Sequence, residues 1–97
     1  MATYVVLINW TEQGAGDFKD SVNRYETAKS RFGDMGVTFK DTYWTLGSHD
    51  LVTILDAPDD ETLAAALLML GSQGNLRTST LRAFSADEMR SVISKTG

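Results

Sequence analysis

The chain has 97 residues, no cysteine, one proline, and a net charge of −4 from nine Lys and Arg against thirteen Asp and Glu. A chain this long makes one small domain, 1–97, that buries only about 60–65% of the surface its unfolded form exposes. With no disulfide and no zinc-type cluster as a staple, packing against further copies of itself is the natural way to cover apolar surface.

The acidic balance and the lack of a basic stripe argue against nucleic acid and anionic membrane as partners. The first ten residues lack a positive start, and their apolar run is too short to span a bilayer, so a cytoplasmic protein is expected. Residues 3 to 10 are β-branched and aliphatic up to Asn9 and Trp10, which suits a central strand. The glycines of Thr11-Glu12-Gln13-Gly14-Ala15-Gly16 then indicate a loop or a loosely wound helix entry.

Phe18, Val22, Tyr25, Ala28, Phe32 and Met35 recur at spacings of three and four, the apolar face of a helix that Gly33 and Gly36 stop. Val37 to Leu46 alternates as a pleated strand does, with Val37, Phe39 and Tyr43 on one face and Thr38, Lys40, Thr42 and Trp44 on the other. Gly47-Ser48-His49 is hairpin length, and Asp50 to Ala57 is the return strand. Pro58-Asp59-Asp60-Glu61 starts a second helix, with proline in the first turn and acids at the positive end of the dipole.

Leu63 to Leu70 is apolar around nearly its whole circumference, so one side covers the sheet and the other is expected to meet a neighbour. Leu76 to Phe84 is a fourth strand. Ser85-Ala86-Asp87-Glu88 has the capping-box pattern, and it opens a last helix to about Lys95 with a narrow stripe of Met89, Val92 and Ile93.

The order is β-α-β-β-α-β plus a C-terminal helix, an α+β ferredoxin-like arrangement with both helices on one face of a four-stranded antiparallel sheet. The other face is expected to carry Thr38, Lys40, Thr42, Thr53, Arg77, Thr78, Ser79, Thr80 and Arg82. Two such faces could pair and enclose a partly polar cavity.

Several segments carry a resemblance to a known family. They are Asn9-Trp10-Thr11-Glu12-Gln13-Gly14, Lys19-Asp20-Ser21, Tyr43-Trp44-Thr45-Leu46-Gly47, Asp50, Ala57-Pro58-Asp59-Asp60-Glu61, Gly74-Asn75-Leu76-Arg77-Thr78 and Thr80-Leu81-Arg82-Ala83-Phe84. Over nearly its whole length the chain resembles the GYD domain proteins, a small prokaryotic family named for a Gly-Tyr-Asp signature. The resemblance implies a dimeric α/β-barrel assembly and no settled activity. His49 stands where the signature has tyrosine, and Val22 where the family often has proline. The turn between strands two and three and Leu76-Arg77-Thr78-Ser79-Thr80 also resemble the effector-binding domains of leucine-responsive regulators, which implies a small-molecule module by analogy of fold.

The candidate ligand-binding residues are Trp10, Trp44, His49, Asp50, Arg77 and Thr78. His49 is the only histidine, the residue type whose unperturbed pKa lies near neutrality, and beside Asp50 it is either a catalytic base or an exposed turn histidine. Asp50 suits a structural bond to loop amides. Each tryptophan can wall a pocket or pack a core, and Arg77 can hold a carboxylate bidentately or pair with a neighbouring subunit's acid. Gly14-Ala15-Gly16 lacks the lysine of a phosphate loop, and no cofactor or metal is expected. Three functions follow. The first is a homo-oligomer holding a small ligand at the sheet face or subunit interface. The alternatives are a cofactor-free enzyme with His49 as base and a structural assembly protein.

Overall fold

The computed structural model describes all 97 residues. In chain order they form β1 (Ala2–Trp10), α1 (Glu12–Gly16), a 3-10 turn (Phe18–Asp20), α2 (Ser21–Asp34), β2 (Thr38–Trp44), β3 (Leu51–Ala57), α3 (Asp60–Gly71), β4 (Leu76–Ala83) and α4 (Ala86–Ser94). The sheet runs β2-β3-β1-β4 with every neighbouring pair antiparallel, so the ferredoxin-like α+β arrangement expected from the element order is the one adopted. No helix is long and apolar enough to cross a membrane.

Directly opposed residues of an antiparallel pair share a face, and that rule sorts the strands. Tyr4, Val6 and Ile8 of β1 and Leu51, Thr53, Leu55 and Ala57 of β3 are buried, and they form one core with Phe32 of α2, Val37, and Leu63 and Ala66 of α3. Both long helices therefore cover this face. The opposite face has no cover from its own chain, and along β1 and β3 it presents Thr3, Val5, Leu7, Asn9, Val52, Ile54 and Asp56, all half-buried.

Strand β2 departs from simple alternation. Phe39 opposes Leu55 and Asp41 opposes Ile54, so Lys40 is an extra residue in a β-bulge, and a bulge reverses the facing of everything after it. Trp44 and Thr42 consequently turn to the helix layer opposite Leu51 and Thr53, while Tyr43 turns out and is 59% exposed. This corrects the expectation that Tyr43 lies in the core and Trp44 on the open face.

Strand β4 needs a similar correction. Thr78, Thr80 and Arg82 oppose Ile8, Val6 and Tyr4 and so lie on the helix side, with Arg82 over the Tyr4 ring at 5.6 Å. Thr53, also expected on the open face, is buried among the helices. The open face receives Arg77, Ser79 and Leu81 instead. Its middle is aliphatic rather than rich in threonine.

Helix α2 begins at Ser21, three residues after Phe18, because the 3-10 turn intervenes; of the expected apolar stripe Phe18 and Val22 are exposed and Tyr25, Ala28, Phe32 and Met35 face inward, joined by the buried Ser21. In α3, Asp59 caps the N-terminus by accepting from the Thr62 amide at 2.7 Å, which holds its carboxyl below the usual aspartate range. The capping box of α4 is complete: the Ser85 hydroxyl accepts from the Glu88 amide, and the Glu88 carboxylate accepts from the Ser85 amide and is held below its ordinary value by that bond. Yet α4 makes little contact with the rest of the chain, and Met89, Val92 and Ile93 are exposed. The radius of gyration is 14.6 Å, with extents of 51 × 31 × 19 Å, against roughly 12–13 Å for a compact chain of this length.

Gly14 fixes the join between α1 and the start of β4. A Cβ there would lie 2.1 Å from the Asn75 carbonyl oxygen, which already accepts from the Thr11 amide at 3.0 Å. Gly14→Ala is expected to destabilise the protein by about 1–3 kcal/mol in a thermal or urea melt, the range for forcing atoms into filled space. Helix propensity alone would give a gain of up to about 1 kcal/mol, so the sign of the change tells which effect governs the site.

Candidate functional site

The hairpin after β2 is pinned from within and from β1. Gly47 takes the left-handed conformation at φ 103°, which glycine adopts without Cβ strain. The Thr45 amide donates to the Asp50 carbonyl at 2.8 Å and its hydroxyl to the His49 carbonyl at 2.5 Å. The Asp50 amide donates to the Ile8 carbonyl, and the Asp50 carboxylate accepts from the Trp10 amide, each at 2.9 Å. Asp50 therefore locks the turn to the end of β1, through the amide of a strand residue and not the loop amides expected for it.

Asn9 is the contributor that sequence reasoning missed. Its amide NH2 donates to the Ser48 carbonyl at 2.7 Å, so its Oδ1 is the acceptor facing His49 Nδ1 at 2.9 Å. This assignment puts the imidazole hydrogen on Nδ1 and leaves Nε2 unpartnered. Arg77 directly opposes Asn9 on β4 and forms no ion pair or hydrogen bond. Thus His49 and Arg77, 28 positions apart in sequence, flank Asn9 at one end of the open face. The available signal was parity: Asn9 continues the row Val5, Leu7, whereas Trp10 continues Tyr4, Val6, Ile8.

The other candidates lie on the opposite side of the sheet. Trp10 is half-buried against the core. Trp44 donates its indole N–H to the Ser21 hydroxyl at 2.9 Å and stands edge-on to Tyr25 at 5.5 Å. Thr78 lies beside Ile8. The six candidate residues therefore divide, with His49 and Arg77 at the open face, Trp10, Trp44 and Thr78 towards the helices, and Asp50 holding the turn.

The open face itself has an aliphatic middle of Val5, Leu7, Val52 and Ile54, flanked by Tyr43 on one edge strand and Leu81, 50% exposed, on the other. One end is the Asn9, His49 and Arg77 corner. The other holds Asp56, which accepts from the Thr3 hydroxyl at 2.7 Å and pairs with Lys40 at 3.7 Å. An apolar centre inside a polar rim is how protein docking surfaces are built.

Residues 4–93 match the GYD domain family. The chain is similar to a Thermus thermophilus protein named glutamine synthetase and cystathionine beta-lyase binding protein, with 34% identity over 84 residues that cover 86% of this chain and 88% of that one. The crystal structure of TTHA0845, also from Thermus thermophilus, is similar with a TM-score of 0.56 and 27% identity, over 89% of this chain and 96% of that chain.

Proposed function

The chain belongs to the GYD domain family, and from that premise we propose that it is a homo-oligomeric binding module whose open sheet face is its docking surface. The observation that carries the reading is the uncovered aliphatic row of Val5, Leu7, Val52 and Ile54. Monomeric proteins rarely leave so continuous an apolar surface in water, and a second copy of the same face covers it with matching chemistry. The free stripe of α4 supports the same conclusion, since an isolated helix of nine residues is marginal in water without something to pack on.

Pairing of two faces would enclose the Asn9, His49 and Arg77 corner, where a small anionic or hydrogen-bonding ligand can be held by the guanidinium and by imidazole Nε2. Protein partners beyond a second copy are supported by the name of the Thermus relative, and glutamine synthetase and cystathionine β-lyase are the first two to test. Sedimentation velocity on the full chain at micromolar concentration is expected to give a dimer or larger species. A stable monomer would overturn the reading.

A second reading, a cofactor-free enzyme, is favoured by one observation. Asn9 holds the Nδ1–H tautomer of His49, which leaves Nε2 as a base, with an unpaired Arg77 across Asn9 on the neighbouring strand. His49→Ala separates the two, because the enzyme reading requires loss of turnover and the binding reading only a change in affinity.

A further inference from the structure

On the far side of the sheet, residues of α2 and α3 line a cleft that reaches the sheet. Its inner part is a cavity of about 60 Å³ walled by Val6, Ile8, Leu51, Leu55 and the rings of Trp10, Tyr25, Phe32 and Phe39. Its outer part, about 140 Å³, is polar and includes Asp20, Asn23, Thr27 and Arg31. The two parts meet at Arg24, Ala28, Phe32, Leu70 and Gln73, which line both. Small side chains make the opening: Ser21 and Ala28, seven residues apart on the inner face of α2, stand where larger residues would fill the space.

We propose that this cleft binds a small neutral aromatic compound, a ring system about the size of indole with one hydrogen-bonding group. The proposal is independent of how the sheet faces pair. Size is the first argument, since protein interiors have few voids larger than a water and 60 Å³ accommodates roughly four to six water-sized groups.

Polarity is the second. Two of the hydroxyls on lining residues are already engaged: Ser21 accepts from the Trp44 indole at 2.9 Å, and Thr53 bonds the Thr42 hydroxyl at 2.6 Å and the Asp41 carbonyl at 3.1 Å. No buried side-chain polar atom lacks a partner. Ordered water holds its place by making two to four such bonds, and an apolar cavity without them stays dry and takes up benzene-like molecules. Ring edges and faces on several sides favour an aromatic occupant over an aliphatic one.

Charge is the third. Arg24 at the junction is held by Asp17 at 3.0 Å and Asp20 at 3.6 Å, two carboxylates to one guanidinium, so an anionic head gains little from Arg24, and Arg31 lies further out. The Gln73 side-chain amide at the same junction is exposed, makes no hydrogen bond to the rest of the chain, and can take one from the ligand.

Indole is the probe. Titrated into the full chain and followed by calorimetry and by backbone amide shifts, it is expected to saturate, with shifts concentrated at Ser21, Ala28, Phe32, Leu70 and Gln73 and none at Val5 or Ile54. Ala28→Leu suits a helix and fills the cavity, so it should keep the melting temperature and weaken indole at least tenfold. Benzofuran, which lacks the N–H, should bind several-fold more weakly than indole to the unmodified chain and equally in Gln73→Ala. Failure to saturate, unchanged indole affinity in a folded Ala28→Leu, or shifts confined to the open face would each overturn the proposal. Tighter binding of indole-3-acetate than of indole would overturn the neutral assignment.

Discussion

Ile54→Glu is expected to convert the protein into a folded monomer. Ile54 sits in the middle of the open face, opposite Val5 on one side and Asp41 on the other. In a single chain the new carboxylate reaches water, and a substitution on a half-exposed strand position costs no more than about 1 kcal/mol. In a pair of apposed faces the same carboxylate would be desolvated without a partner, at about 3–5 kcal/mol. Association should weaken by more than roughly 100-fold at 1.4 kcal/mol per factor of ten, while the circular dichroism melt changes little. An Ile54→Glu protein that sediments as the unmodified chain does would mean that the open face is not the contact surface. Met89→Glu is the companion variant, because it separates a contribution of α4 from that of the sheet.

The sequence is most informative where local chemistry alone decides structure. Ser85 and Glu88 announce the start of α4 three residues apart, and Asp59 announces α3, because a cap needs only its own helix. The four-stranded antiparallel sheet also followed from element order, since short connections and handedness leave few ways to arrange β-α-β-β-α-β. Faces were harder to read. One extra residue at Lys40 reverses every later position of β2, and Thr-Phe-Lys-Asp-Thr-Tyr-Trp carries no glycine or proline to mark a bulge. In β4 the alternation of Arg77, Ser79 and Leu81 with Thr78, Thr80 and Arg82 offers polar residues to both sides, so only the pairing with β1 decides which row meets the helices.

The candidate site divides for the same reason. Adjacency in sequence grouped Trp44, His49 and Asp50, but strand parity sends Trp44 to the helices, and the turn leaves His49 at the edge of the open face. Arg77 joined His49 through register, which no local pattern encodes. The cleft was illegible because it is a property of how two helices pack over one sheet. Its only trace in the chain is a pair of small residues, Ser21 and Ala28, on a helix face otherwise made of large ones.

Phe32→Ala is expected to be the most damaging single core change. Phe32 is 1% exposed and is the largest of the fully buried side chains. Its ring stands edge-on to Phe39 at 5.2 Å and 85°, so it joins α2 to β2 across the layer that the bulge distorts. Truncating a buried phenylalanine costs about 3–5 kcal/mol, a large share of the ~5–15 kcal/mol that holds a chain of this size together. In a thermal melt the midpoint should fall by more than about 12 °C at roughly 4 °C or more per kcal/mol. Part of that loss belongs to the ring pair, and a double-mutant cycle with Phe39→Ala should return a coupling of about 0.5–1.5 kcal/mol. Because Phe32 also walls the cleft, its loss enlarges the cavity, and indole should recover part of the lost stability as it occupies the vacated space. Recovery by indole, with none from an anionic or aliphatic compound of similar size, would tie the stability of this core to the occupancy of the cleft beside it.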